Sequence, residues 1–154
     1  MAWASTVPGV LDALVAAFQA TPGLEGVRVF DGPVVSQAAP KEALCVGFSG
    51  DPTEPAVVQG QMQREGMVAA PSREQYSVQC AASVLNGSGD ISAARRRAYE
   101  LFAAAGAALA VDPTLGRTVL SAQPGAATLA QDQTTDGALA TVAFAVDVDA
   151  FTVR

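Results

Sequence analysis

The chain has 154 residues, 50% of them hydrophobic, and its 15 acidic and 9 basic residues give a formal net charge of −6. A chain of this length buries about 70% of the surface that its unfolded form exposes, so it can build one core without disulfides or metals. The absence of histidine excludes His-based acid–base catalysis, His metal ligands and His pH sensing. The acidic balance argues against a protein that coats nucleic acid or an anionic membrane.

Cys45 and Cys80 are the two cysteines, and they are too few for a structural zinc site. We expect both to be buried core residues in a reducing compartment, and we expect no metal and no cofactor. The N-terminal segment lacks the basic stretch of a secretory signal, and the longest apolar run, residues 101–111, is shorter than a bilayer requires. We therefore expect no contact with a membrane.

The first predicted element is a helix that ends near Ala20. Ser5 or Thr6 supplies the start signal ahead of Pro8, which suits a first helical turn because its missing N–H would be unpaired there. Apolar residues then recur at helical spacing until a Pro-Gly pair. This apolar stripe is predicted to pack on a sheet.

Period-two alternation predicts two short strands after this helix, one from Val27 to Asp31 and one from Ala43 to Phe48. The stretch from Thr53 to Arg73 is harder to assign, because glutamines and glycines dilute its strand-like start. It is either an extended arm or a hairpin strand paired into the sheet, and the sequence supports both equally. As an arm it would bury too little apolar surface to become ordered before assembly.

The alternation from Tyr76 to Leu85 predicts a strand with one buried face and one wet face. A turn rich in glycine follows, and Asp90 or Ser92 is then expected to cap a helix that runs to about Ala110. The apolar stripe of this second helix is predicted to face the same core.

Two more strands are predicted, from Arg117 to Gln123 and from Leu139 to Phe151, with a break at Pro124-Gly125 and a polar stretch, 131–137, between them. In the last strand the apolar even-numbered residues must face the core, which sends the odd-numbered residues to the other face: Thr141, Ala143, Ala145, Asp147 and Asp149. All the elements together predict one α+β domain with two helices packed on a mixed or mainly antiparallel sheet.

The basic run Arg95-Arg96-Arg97 cannot form one patch, because three successive helical residues fan around the axis. Arg96 and Arg97 are the predicted outward members and could donate to carboxylates of a neighbouring subunit, with an ordinary solvated face as the alternative. Asp147 and Asp149 offer too few oxygens for a hard cation. We predict no catalytic, cofactor-binding or metal-binding residue, and no enzymatic activity.

The order of elements and two segments resemble the tail terminator proteins of long-tailed (siphovirus-type) bacteriophages: REQYSVQCAASVLNGSGDISAARRRAYELF, from Arg73 to Phe102, and GALATVAFAVDVDAFTVR, from Gly137 to Arg154. The resemblance implies a virion protein, assembled in the host cytoplasm, that forms a hexameric ring. Such a ring caps the tail tube and joins it to the head connector or stopper protein. It also implies that DNA passes through the lumen without specific binding, which suits an acidic subunit.

Under this resemblance, the expected contacts with neighbouring subunits or partners are Gln61, Met62, Arg64 and Met67 in the arm and Arg96 and Arg97 on the helix. The face with Asp147 and Asp149 is predicted to point toward the lumen or upper rim of the ring, with ordinary outer surface as the alternative. Two other classes stay open: another phage neck or head–tail completion protein, and a small-ligand module, which a pocket with buried carboxylates would favour.

Overall fold

The computed structural model describes residues 3–34, 41–64 and 71–153. Its elements in chain order are α1 (Val7–Gln19), β1 (Arg28–Asp31), β2 (Glu42–Val46), β3 (Val58–Gln63), β4 (Arg73–Asn86), α2 (Ile91–Val111), β5 (Ser121–Thr134) and β6 (Gly137–Phe151). The six strands form one sheet, and both helices pack on it. This arrangement confirms the expected single α+β domain.

The sheet has the strand order β1-β2-β4-β6-β5, and β3 pairs with the first half of β4. Every pairing is antiparallel except the parallel pair β1–β2. Strand β4 therefore has β6 along one whole edge, while its other edge is shared between β2 and β3. The long β4–β6 ladder, which joins 14 residue pairs from Arg73↔Phe151 to Asn86↔Ala138, forms the centre of the sheet.

The hydrophobic core lies between the helices and one face of the sheet. Strands β4 and β6 contribute their even-numbered residues, and the ring of Phe102 in α2 packs on Phe144 of β6 with centroids 4.8 Å apart. As predicted, the even-numbered residues of β6 are fully buried: Val142, Phe144, Val146 and Val148. Because side chains alternate along a strand, this burial leaves the odd-numbered side chains on the helix-free face.

The two helix starts follow the sequence signals in different ways. Thr6 occupies the N-cap of α1 but makes no side-chain capping bond, and the Ser5 hydroxyl accepts from the Val7 N–H at 3.2 Å instead. In α2 the predicted cap is confirmed, because the Asp90 carboxylate accepts from the Ala93 N–H at 3.1 Å. The buried residues of α2 recur at helical spacing, as the predicted apolar stripe requires: Ala94, Ala98, Leu101, Ala105 and Leu109.

The predicted strand from Arg117 to Gln123 and its break at Pro124-Gly125 are wrong. Arg117 lies in a turn with φ of 67°, and β5 runs from Ser121 through the Pro-Gly pair as far as Thr134. A β-bulge between Pro124 and Ala127 absorbs the irregularity. Proline is tolerated there because β5 is an edge strand and the Pro124 nitrogen faces away from β6, so no ladder hydrogen bond is lost. The predicted polar stretch after residue 131 therefore begins inside this strand.

Residues 58–63, which the sequence left open between an arm and a paired strand, form strand β3 against residues 73–78 of β4. Most of this strand is exposed. Gly60 lies so close to Tyr76 that a Cβ at position 60 would collide with that side chain and with the Gln75 carbonyl. Glycine therefore permits the close pairing that the sequence pattern had obscured.

Within the described part of the chain, neither helix combines the length and apolar character that crossing a bilayer requires.

Candidate functional site: the open face of the sheet

The sheet has one face that neither helix covers, and we call it the open face. It is formed by the odd-numbered side chains of β4 and β6 and by their neighbours on β3 and β5. The even-numbered side chains of both central strands lie in the core under the helices. The face that carries the sequence-predicted pair Asp147 and Asp149 is therefore this open face.

Polar side chains form two rows across the strands at one end of the open face. One row joins Gln59, Ser77, Asp147 and Gln123, and the next joins Gln61, Gln75, Asp149 and Ser121. These rows line a depression of about 840 Å³. The arrangement presents amide, hydroxyl and carboxylate groups with little apolar surface, which suits transient contact with a hydrated partner better than tight burial.

Asp149 is not a free carboxylate. Arg73, its neighbour on β4, donates to it through Nε at 3.0 Å and through Nη2 at 2.6 Å, which is a two-point ion pair. The hydrogen bonds from Arg73 lower the pKa of Asp149 below its usual value, and a bond from Gln75 adds to this effect. The charge of Asp149 is thus largely balanced within the chain.

Asp147, in contrast, is exposed on the open face. Its Oδ1 accepts from the Ser77 hydroxyl at 2.7 Å, and among the described residues no basic side chain pairs with it. The side chain lies over Gly125 of the β5 bulge, where a Cβ would collide with the carboxylate. The bulge and its glycine therefore make room for an exposed negative charge beside the neutralised Asp149.

Small residues form the other end of the open face. A depression of about 610 Å³ lies there, floored by residues that include Thr128, Thr141, Ala143 and Ala145. The loop after β2 packs on this floor through Gly50, where a Cβ would lie 3.5 Å from Thr141 and 3.6 Å from Ala81. The lining carboxylates belong to exposed residues: Asp51, Glu54 and Asp132. The buried carboxylates that would favour a small-ligand module are therefore missing from this lining.

The residues predicted to make intersubunit contacts occupy different places. Gln61, Met62 and Arg64 are exposed on or just beyond β3, whereas Met67 lies outside the described residues. Arg96 is exposed on α2, and the described part of the chain gives it no ion pair. The structure does not bring Arg96 into the rows that contain Asp147.

Arg97 is engaged within its own chain. Its Nε donates to Glu42 of β2 at 2.6 Å, and its Nη1 donates to Glu100 at 3.0 Å. These two carboxylates raise the pKa of the guanidinium, with the Glu42 bond as the larger cause. Arg97 therefore links α2 to β2. A contact between Arg97 and a neighbouring subunit, as predicted, would have to form while both of these bonds stay in place.

A buried polar cluster, which the sequence reasoning missed, joins Thr6, Glu74 and Tyr76. Glu74 is 1% exposed, and its Oε2 accepts from the Thr6 backbone N–H at 2.9 Å and from the Thr6 hydroxyl at 2.6 Å. The Thr6 hydroxyl proton is already donated to Glu74, so the Tyr76 hydroxyl must be the donor in its 2.8 Å bond to the Thr6 hydroxyl oxygen. Extending the alternation of β4 back by one pair would have placed Glu74 on the core face.

Burial keeps both thiols and the Tyr76 phenol protonated near neutral pH. Desolvation raises the pKa of the Cys45 thiol to about 11 and that of Cys80 to about 12, and both cysteines are free. Tyr76 has its pKa raised to about 12, mainly by burial, because the neutral phenol loses less solvation than the phenolate. The described ranges contain no group of three or more Cys, Asp or Glu that could hold a metal ion.

No protein-family model matches the chain, and no curated protein matches it either. Its fold is similar to that of a chain in a solved structure described as the virion of a native gene transfer agent (GTA) particle. The similarity has a TM-score of 0.58 and covers 92% of this chain and 94% of that chain. The sequence identity is 8%, so the two chains share a fold.

Proposed function

We propose that this chain is a structural virion protein and acts as a phage tail terminator. Six copies form a ring that caps the completed tail tube and joins it to the head connector. The observation that carries this proposal is the shared fold, over 92% of the chain, with a component of a virion. The segments from Arg73 to Phe102 and from Gly137 to Arg154 support the narrower assignment, because they carry the resemblance to tail terminators.

In the proposed ring the open face lines the lumen, and the helices face outward. The chemistry of the open face supports this orientation, because its side chains are small or polar and the residues that line it include carboxylates without an ion pair among the described residues: Asp51, Glu54, Asp132 and Asp147. A surface of this kind repels a phosphate backbone weakly and offers it no cationic anchor. DNA would then pass through without specific binding.

Contacts with the tail tube, the connector and the neighbouring copies are assigned to exposed residues outside the polar rows. Met62 and Arg64 at the end of β3 and Arg96 on α2 are the proposed contributors. Arginine and methionine suit this role, since both supply adaptable contact area at protein interfaces. The proposed activity needs no cofactor and no catalytic group.

The test is to add the purified protein to preformed tail tubes and to examine the products by native mass spectrometry and electron microscopy. We expect a hexamer and one ring at a single end of each tube. A protein that stays monomeric and leaves both ends bare would overturn the proposal. A ring that binds the head connector but not the tube would instead assign the chain to another neck protein.

A further inference from the structure

Two edges of the sheet are open to another strand. Strand β3 pairs only with β4 and strand β5 only with β6, so within the described residues each has one edge without a partner strand. Natural proteins usually protect such edges with charged residues, because unpaired N–H and C=O groups invite another strand. Strand β3 and the middle of strand β5 lack this protection.

The edge of β3 has no protection of this kind. Its sequence, VQGQMQ, contains neither a charged residue nor a proline, and five of its six residues are exposed. In β5 the proline and the bulge protect the first part, but the segment from Ala127 to Gln131 is uncharged and almost wholly exposed. The third edge strand, β1, provides an internal contrast, because two of its four residues, Arg28 and Asp31, are charged.

The backbone groups that point outward can be identified from printed hydrogen bonds. The Gln79 N–H donates to the Val57 carbonyl at 2.8 Å, so residue 57 faces β4 and the groups of Val58, Gly60 and Met62 face away. On the opposite side, Ala122 turns its N–H away from β6 and donates to Pro113. Beyond the bulge, the registers of the β4–β6 and β5–β6 ladders show that the backbone N–H and C=O groups of Leu129 and Gln131 point away from β6.

We propose that the free edge of β3 in one copy pairs with the Ala127–Gln131 edge of β5 in the next copy. This inference deepens the proposed ring and rests on it. Because the two edges lie on opposite sides of one sheet, the contact is head-to-tail. Such a contact closes into a ring when each copy is rotated from the last by a whole fraction of a turn, one sixth in the proposed hexamer.

The strand directions agree with this junction. Strands β3, β4, β6 and β5 alternate in direction, so β3 and β5 run in opposite directions within one copy. Copies related by rotation about a ring axis keep the same direction along that axis, so β5 of one copy meets β3 of the next as an antiparallel pair. The ring would then carry one continuous sheet around its lumen.

The first measurement is hydrogen–deuterium exchange of the wild-type protein, assembled and diluted. Assembly should slow exchange at least tenfold in both β3 and the Ala127–Gln131 segment, and it should leave β1 unchanged. If an oligomer forms while both edges exchange as fast as in the monomer, this inference fails and the proposed ring stands. If no oligomer forms at any concentration, the proposed function fails as well.

The second measurement uses proline, which removes one outward N–H without breaking a backbone hydrogen bond of the sheet. Gln131→Pro also removes the side-chain bond that Arg95 donates to Gln131 at 2.8 Å. Met62→Pro should block the β3 edge and Gln131→Pro the β5 edge, and each variant alone should need at least a tenfold higher concentration to assemble. The matched control is Asp31→Pro, which removes an outward N–H from β1 and should assemble as the wild type does.

A mixture of the two variants tests the head-to-tail geometry. The Gln131→Pro chain keeps an intact β3 and the Met62→Pro chain keeps an intact β5, so one junction can still form. Native mass spectrometry should show a heterodimer and no larger ring. Normal rings from either folded variant, or from the mixture, would overturn the inference.

Discussion

Glu74 holds the first turn of helix α1 from 68 residues away, because its Oε2 accepts both the backbone N–H and the hydroxyl of Thr6. A carboxylate at this place satisfies an otherwise unpaired helix donor and interacts favourably with the positive end of the helix. Its other oxygen, Oε1, is buried and has no hydrogen-bond partner among the described residues. The cluster thus fixes α1 on β4 at a cost in desolvation.

Replacing Thr6 with valine should destabilise the protein. The change removes the hydroxyl bond to Glu74 and the one to Tyr76, and it leaves buried polar atoms unpaired. We expect a loss of about 2 kcal/mol in the free energy of unfolding, measured by urea denaturation. The control is Thr128→Val, at an exposed position on β5, which should change stability by less than about 0.5 kcal/mol. Equal effects of the two changes would contradict this role for Thr6.

The ion pair between Arg73 and Asp149 should make part of the stability depend on acidic pH. The pKa of Asp149 is lowered in the folded state, so the contribution is present above its unfolded value of 3.8 and is lost as pH falls through the folded value. Because both side chains are partly exposed, we expect about 1 kcal/mol or less. The measurement compares acid unfolding of the wild type with that of Asp149→Asn, which should lack this increment at neutral pH and converge with the wild type in acid.

A side chain at position 60 should separate β3 from β4. A Cβ there collides with Tyr76 and with the backbone of residue 75, so Gly60→Ala should speed amide exchange in β3 and lower the melting temperature. Gly87→Ala is the matched control, because a Cβ at position 87 meets nothing within 4 Å. If Gly60→Ala left exchange in β3 unchanged, the close approach would have no consequence for pairing.

Reversing the charge of residue 147 should make an assembled ring retain DNA. Asp147 lies in the polar rows of the open face and has no ion pair among the described residues, so Asp147→Lys places six cations in the proposed lumen. We expect DNA binding that falls steeply with salt, measured by a filter or mobility assay across a salt series. The control Asp147→Asn removes the charge without adding a cation and should not retain DNA. Salt-independent behaviour of the lysine variant would place residue 147 on the outer wall.

Local patterns in the sequence were sufficient to predict most of the elements. The alternation of β6 predicted which side of the strand is buried, because a period of two leaves only one choice once Val142, Phe144 and their even-numbered neighbours need a core. The helical stripe of α2 and its Asp90 cap were predicted for the same reason, since both depend on residues close together in the chain.

Tertiary structure decided the features that depend on distant residues. The Pro124-Gly125 pair, considered with its sequence neighbours alone, predicts the end of a strand. Pairing with β6 nevertheless continues β5 through this pair, because a bulge absorbs the irregularity. The Gln-rich β3 becomes a strand because β4 supplies its partner and Gly60 permits close approach. The neutralisation of Asp149 by Arg73 and the capping of α1 by Glu74 both join residues about 70 positions apart, and no local pattern contains that proximity.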